Sequence, residues 1–292
     1  MEKIKRMEII NVNNLTYTTS MGKSIIDNIS FSANKGDKIA ILGDNGSGKT
    51  TLLELMVGII KPTNGSVLID GVISSKVKFN YGIVWDQAEI FPWLKVCEVI
   101  KYFAAIRGAN AEYHSLCNIL GIQKIQNQFM KTLSKGEKKK VALAIALMHN
   151  PSIVFLDEFS SGVDEKTLEM VWNNYLQFNK KTVIFSTHNW EEAEKYASKL
   201  MFLKEGKLLL SPSTKEEIKK VYPFSFKIVI EDGICMDQLG QYPAYKNNGQ
   251  VNILLNSLDE KYITNIARYT SKYSVVNVDL LDIYNYIKDI KA

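Results

Sequence analysis

The chain has 292 residues, 46% hydrophobic and 23% charged, which supports a sizeable core in one large domain or one and a half. The net charge of +5 is too weak to argue for nucleic acid, because surface lysines ordinarily keep a protein soluble. The longest apolar run, Val141–Met148, falls far short of the ~18 residues that cross a bilayer, so any membrane role must use a partner.

In chain order, the opening MEKIKRMEII has no long apolar core after its charges and is not a signal peptide. Strands are expected at Glu8–Val12, Ile25–Ala33 and Lys38–Leu42, followed by a glycine-rich turn and a helix over Lys49–Val57. Gly65–Asp70 and Tyr81–Trp85 read as short strands, and residues from about 92 to 150 as helices, on apolar spacings such as Val96, Val99, Ile100 and Phe103. Strand and helix then alternate: Ile153–Leu156, Lys166–Phe178, Thr182–Ser186, Trp190–Ser198 and Leu200–Leu203. That alternation predicts parallel strands with crossover helices. A break is expected near LLLSPSTKEE, at Pro212. Beyond it, strands at Phe224–Ile230, Val251–Leu255 and Ser274–Val278 and helices at Leu258–Tyr269 and Leu280–Lys288 predict a small α+β appendage. Cys97, Cys117 and Cys235 are odd in number and lack CxxC spacing, so they read as reduced thiols.

The sequence ILGDNGSGKTT fits a phosphate loop, with Gly43, Asp44, Asn45, Gly46, Ser47, Gly48, Lys49, Thr50 and Thr51 as candidate nucleotide contacts. Both flanks fit: an apolar strand precedes the loop and an apolar helix follows it. Glycines let backbone N–H groups turn toward an anion, and the helix N-terminus adds partial positive charge. Lys49 can reach the β- and γ-phosphates, and Thr50 can ligate Mg²⁺. A second apolar strand, in SIVFLDEFS, ends in Asp157 and Glu158. A buried strand-end acid needs a partner, and Mg²⁺ suits Asp157. Glu158 is placed to polarise a water for attack on the γ-phosphate.

LSKGEKKKVALA, Leu133–Ala144, packs four lysines into six residues: Lys135, Lys138, Lys139 and Lys140. Ser134 reads as a helix N-cap, with Glu137 its capping-box partner. Taken with the phosphate loop and the acid pair, this order of motifs resembles the ATP-binding subunits of ABC transporters across residues 8–210, about two thirds of the chain. LSKGE stands where that family has LSGGQ, 23 residues before Asp157.

The resemblance implies a P-loop NTPase core with a parallel sheet, an N-terminal antiparallel β-subdomain and a helical subdomain at about 88–150. These lie within an ATP-binding domain over 1–212, followed by the accessory domain 213–292. It implies that Ser134 and Gly136 face the γ-phosphate held by the second subunit of a head-to-tail dimer, homomeric or heteromeric. Gln87 would contact Mg²⁺ and the attacking water, Asp164 of SSGVD would cross the dimer, and His188 would sense the γ-phosphate. The lysine run becomes a solvated face, with no need for nucleic acid. Glu137 in place of glutamine is unfavourable beside a triphosphate unless it faces away. The adenine-stacking aromatic expected four residues after Leu15 is missing, since Thr19 has no ring, and Tyr17 is the substitute on the same strand face. His114 and His149 match nothing in the family and read as structural.

ATP and Mg²⁺ are the implied cofactors, and a separate transmembrane permease at the cytoplasmic face of the membrane is the implied partner. Phe91 and Trp93 read either as its contacts or as core aromatics. The tail VNVDLLDIYNYIKD resembles export-type bacterial members, so the cargo class expected is a drug, peptide or lipid-like compound. Two alternatives compete. A soluble ABC ATPase acting on ribosomes or DNA is disfavoured by a single motif set and by an 82-residue gap too short for coiled coils. A heterodimer subunit that binds ATP but hydrolyses it poorly is disfavoured by Glu158 and His188.

Overall fold

Strands β3 (Lys38–Leu42), β7 (Ile153–Asp157) and β8 (Thr182–Ser186) are apolar runs buried from end to end, apart from a half-buried Lys38. Such runs belong to parallel strands covered on both faces. In the computed structural model, which describes residues 7–76, 81–87, 90–108, 113–177, 181–231, 242–258, 260–267, 270 and 272–291, they form the middle of a six-stranded sheet. Its order is β10-β9-β3-β8-β7-β6, with β6 at Tyr81–Val84, β9 at Lys199–Lys204 and β10 at Lys207–Ser213. The β3–β8, β3–β9, β6–β7 and β7–β8 pairs are parallel. A four-stranded sheet is built from β1 (Glu8–Thr18), β2 (Ser24–Asn34), β4 (Asn64–Ile69) and β5 (Val72–Ile73), and its pairs are antiparallel.

Helix α1 (Lys49–Val57) follows β3, and its leucines pack between the two sheets in one apolar core. The helical segment carries α2 (Val96–Arg107), α3 (Tyr113–Ile119), α4 (Ile122–Ile125) and α5 (Lys135–Leu147). The crossovers α6 (Glu165–Val171) and α7 (Trp190–Tyr196) return the chain to β8 and β9. The α/β class, parallel core sheet and antiparallel β-subdomain agree with the sequence reading. Among the differences from it, three have a local cause. The first strand runs on to Thr18 because register shifts near Asn14, at φ 44°, let it keep pairing. The helix expected over 166–178 stops at Val171 and continues as a π-turn, Trp172–Leu176, where Trp172 stacks on Tyr196 at 4.5 Å. Pro212 does not end the pairing, since β10 is an edge strand and needs no donor there.

The chain divides into two compact units, 1–212 and 213–292. The second carries α8 (Lys215–Val221), α9 (Glu260–Ala267) and α10 (Leu280–Ile290) with an antiparallel sheet of order β12-β13-β11-β14. The strands are β11 (Phe226–Ile230), β12 (Ala244–Asn247), β13 (Gln250–Leu255) and β14 (Tyr273–Asn277). Asn248 and Gly249, both at positive φ, make the two-residue turn between β12 and β13. Asp282, buried on α10, accepts from Lys227 of β11, from the Tyr245 hydroxyl of β12 and from the Asp279 N–H. Burial, and then the Asp282 carboxylate, push the Tyr245 hydroxyl pKa upward. Among the described residues Cys97 and Cys117 are free thiols, and burial pushes Cys117 up to about 11. Cys235 lies outside the described residues.

Two tests follow from this packing. Asp282→Ala leaves the Lys227 ammonium without its partner and is expected to cost about 3–5 kcal/mol, read from chemical denaturation. His149 has two buried ring nitrogens with no hydrogen-bond partner, and burial, aided by Arg107 and Lys181, lowers its pKa to about 4. The unfolded chain therefore binds the extra proton more readily, so stability falls as pH drops from about 6.5 toward 4. His149→Gln is expected to flatten that slope in denaturation midpoints measured across this window.

Candidate functional site

The phosphate-loop residues occupy the turn between β3 and α1. Its three glycines need their lack of a side chain, and Gly46 does so through its φ of 78°. A Cβ on Gly43 would lie 2.1 Å from the Leu203 carbonyl, and Gly48 sits at φ 104°. At Gly46 the corresponding space is empty of protein. No side chain caps α1, so its first-turn amides stay available to an anion. Lys49 is buried and donates to the carbonyls of Gly43 (2.9 Å) and Asp44 (3.1 Å). Burial lowers its pKa, against the pull of Glu158, Asp157 and Asp44. Asp44, Asn45 and Gly46 form the exposed rim, Ser47 is buried and Thr51 half-buried.

Sheet register brings the second half of the site to this loop. Asp157 at the end of β7 pairs with Ser186 at the end of β8, which also pairs with Ile41 of β3. Asp157 accepts from Ser186 Oγ at 2.6 Å on one oxygen and from Thr50 Oγ1 at 2.8 Å on the other. Thr50 and Asp157 thus present two hard oxygen donors side by side. One carboxylate with one hydroxyl, completed by substrate phosphates and water, is the donor set that Mg²⁺ uses. Among the described residues no cluster of three metal-binding side chains exists that would call for a different ion.

Glu158 takes φ 45°, a strained conformation for a residue with a side chain. Its N–H donates to Ser186 Oγ and the Ser186 carbonyl, and its carboxylate lies 2.5 Å from His188 Nδ1. His188 is 67% exposed and Glu158 only 17%. Behind His188, buried Glu192 accepts from Thr187 Oγ1 and Ser160 Oγ, which ties the two loops together, and burial raises its pKa. The cleft, about 300 Å³, is lined by Asn45, Asp86, Lys135, Glu158, Ser161 and His188.

The lysine run differs from the expectation of a solvated face. Lys135 and Lys139 both pair with Asp86 Oδ1, at 3.1 and 3.0 Å, and Lys140 pairs with Asp164 at 2.7 Å. Helical spacing places Lys135 and Lys139 one above the other, and their common partner is an acid the sequence reading passed over. Burial would raise the Asp86 pKa, but hydrogen bonds from Lys139 and Lys135 hold it below the ordinary range. Gln87 is exposed and lines a neighbouring groove with Trp85, Asp86 and Lys138.

Ser134 caps α5, and Glu137 turns back to accept from the Ser134 N–H and hydroxyl, both at 2.8 Å. That capping answers the charge objection locally and lowers the Glu137 pKa, chiefly through the Ser134 backbone bond. Asp164 caps α6 through Thr167 N–H, and its pKa falls strongly because Lys140 and Thr167 bond its carboxylate. Tyr17 is half-buried on β1 and packs against the core. Phe91 and Trp93 are 43% and 70% exposed and are not core aromatics; Lys131 lies 3.9 Å over the Trp93 ring.

A family model for ABC transporters matches residues 26–161. An ABC transporter ATP-binding protein of Clostridium acetobutylicum is 32% identical over 226 residues, 72% of this chain and 81% of the relative. A probable multidrug ABC transporter ATP-binding protein of Escherichia coli is 31% identical over 66% of this chain and 35% of its own. The solved dimeric structure of a bacterial ABC transporter cassette superposes with a TM-score of 0.61 at 25% identity, over 68% of this chain and 96% of that one.

Gly136 tests the local geometry of α5. A Cβ there would lie 1.9 Å from the carbonyl of Gly162, a backbone atom that cannot turn aside. Gly136→Ala must push the start of α5 off the 160–164 loop. It is expected to lower stability by about 1–3 kcal/mol in thermal or urea unfolding.

Proposed function

The chain belongs to the family of ABC transporter ATP-binding proteins, and from that premise we propose that it hydrolyses ATP to drive export through a separate membrane permease. The observation that carries the reading is that Lys49, the Thr50–Asp157 pair and the Glu158–His188 pair gather at the C-terminal ends of the adjoining parallel strands β3, β7 and β8. In this reading, residues 1–212 are the ATP-binding domain and 213–292 an accessory domain. The loop amides and Lys49 bind the triphosphate, with Gly43 to Thr51 as the cradle, and Tyr17 takes the adenine side. Mg²⁺, held by Thr50 and Asp157 and reached by Gln87 from the neighbouring groove, would neutralise charge on the β- and γ-phosphates. Glu158 accepts the proton of the attacking water, and His188 holds its carboxylate. Ser134, Gly136 and Asp164 complete the site of a second subunit, so the working unit is a dimer.

Phe91 and Trp93 offer the permease an exposed aromatic contact. No helix among the described residues is long and apolar enough to cross a membrane, which fits a subunit held at the cytoplasmic face by its permease. Export of a drug, peptide or lipid-like cargo is supported by the likeness to the Escherichia coli multidrug relative and by the tail resemblance. The contact between Glu158 and His188 favours hydrolysis over a subunit that only binds ATP.

The test is ATPase activity of the chain and of Glu158→Gln, with light scattering in ATP. The wild type is expected to turn over slowly. The variant should lose at least ~100-fold in kcat and accumulate as an ATP-stabilised dimer. A wild type that binds ATP without hydrolysing it would restore the heterodimer alternative.

A further inference from the structure

Lys139 is 3% exposed, and a buried ammonium is costly unless its donors are matched. Its donors reach three acceptors on two elements. One goes to Asp86 just after β6, at 3.0 Å, and the others to the backbone carbonyls of Asp157 and Glu158 at the end of β7. Lys139 itself belongs to α5, the helix opened by Ser134.

The Glu158 carbonyl matters because Glu158 is strained. A side-chain-bearing residue at φ 45° keeps that conformation only where its surroundings fix it. Ser186 holds the N–H of Glu158, and Lys139 holds its carbonyl. The two bonds pin the peptide units on both sides of the Cα, and so fix where the carboxylate starts. Asp86 in turn anchors the ammonium, with Lys135 on the same oxygen.

We propose that Lys139 is a positioning residue for hydrolysis, which holds Glu158 in its productive backbone conformation, and that Asp86 anchors Lys139 from the cleft side. The inference rests on the proposed ATPase reading. Its consequence is mechanical. A shift of α5 relative to the core sheet is transmitted to the Glu158 carbonyl through Lys139, so placement of the helix that carries LSKGE bears directly on the hydrolytic carboxylate. The proposal also gives the lysine run a purpose. Lys139 joins α5 to the acid pair, and Lys140 joins it to the 160–164 loop through Asp164.

The experiment compares Lys139→Met, Lys139→Arg and Asp86→Asn with the wild type. Equilibrium binding of Mg-ATP, steady-state ATPase kinetics and thermal unfolding are measured for each. Lys139→Met is expected to lower kcat on the order of 10- to 100-fold with ATP affinity and KM changed less than about threefold. Lys139→Arg, which can still donate to the carbonyl, should recover most of that loss. Asp86→Asn should fall between, and in the Lys139→Met background it should add almost nothing, because the two residues act as one unit. A Lys139→Met protein with wild-type kcat overturns the proposal, as does Asp86→Asn adding its full separate loss. If Lys139→Met fails to fold, Asp86→Asn with unchanged kcat overturns it just the same. A wild type that binds no ATP overturns the ATPase reading itself; one that binds and hydrolyses ATP beside a fully active Lys139→Met sinks only the positioning role.

Discussion

The structure of the site depends on one buried carboxylate. Asp157 is 2% exposed at the end of a strand whose every residue is buried, where an unpaired charge would be severely destabilising. Its two oxygens are matched by hydroxyls from Thr50 and Ser186. Those hydroxyls belong to the helix after β3 and to the end of β8, so satisfying this one charge fixes the relative heights of β7, β8 and α1. Once they are fixed, the loop after β3, the strained Glu158 and the exposed His188 have little freedom in where they meet.

Much of this was legible in the sequence, because each element carries a local signature that its tertiary role reinforces. The phosphate loop is bracketed by an apolar strand and helix, and the acid pair ends a strand apolar throughout, so periodicity and chemistry point the same way. The Ser134–Glu137 capping box was readable from spacing alone. Two further signals were present and were passed over. Thr214 and Glu217 form a second capping box that opens α8. Asn248–Gly249 ahead of the apolar run Val251–Leu255 marks the hairpin that makes β12 a strand.

Other features were hidden for a physical reason. The partner of Lys135 and Lys139 lies about fifty residues earlier in the chain, and no local pattern marks Asp86 as its acid. A lysine-rich first turn reads as solvated because an ammonium is normally better in water than in protein. Only the fold, by placing a carboxylate and two strand-end carbonyls within reach, reverses that preference. The π-turn at Trp172 is similar. It continues directly from a helix, so no local pattern sets it apart, and the stacking of Trp172 on Tyr196, with Phe159 and Phe185 edge-on, accompanies the local change.

The departures from LSGGQ are explained within a single subunit. Gly136 cannot accept a side chain because the carbonyl of Gly162 lies against it, while position 135 is open and its lysine reaches Asp86. Glu137 caps its own helix through the Ser134 N–H, which leaves the carboxylate compensated by a hydrogen-bonded dipole rather than aimed outward. The same interaction engages the Ser134 hydroxyl. Any further acceptor that approaches Ser134 must therefore compete with Glu137 for its hydroxyl, and a carboxylate is a strong acceptor. Glutamate at this position thus commits the Ser134 hydroxyl to the cap of its own helix.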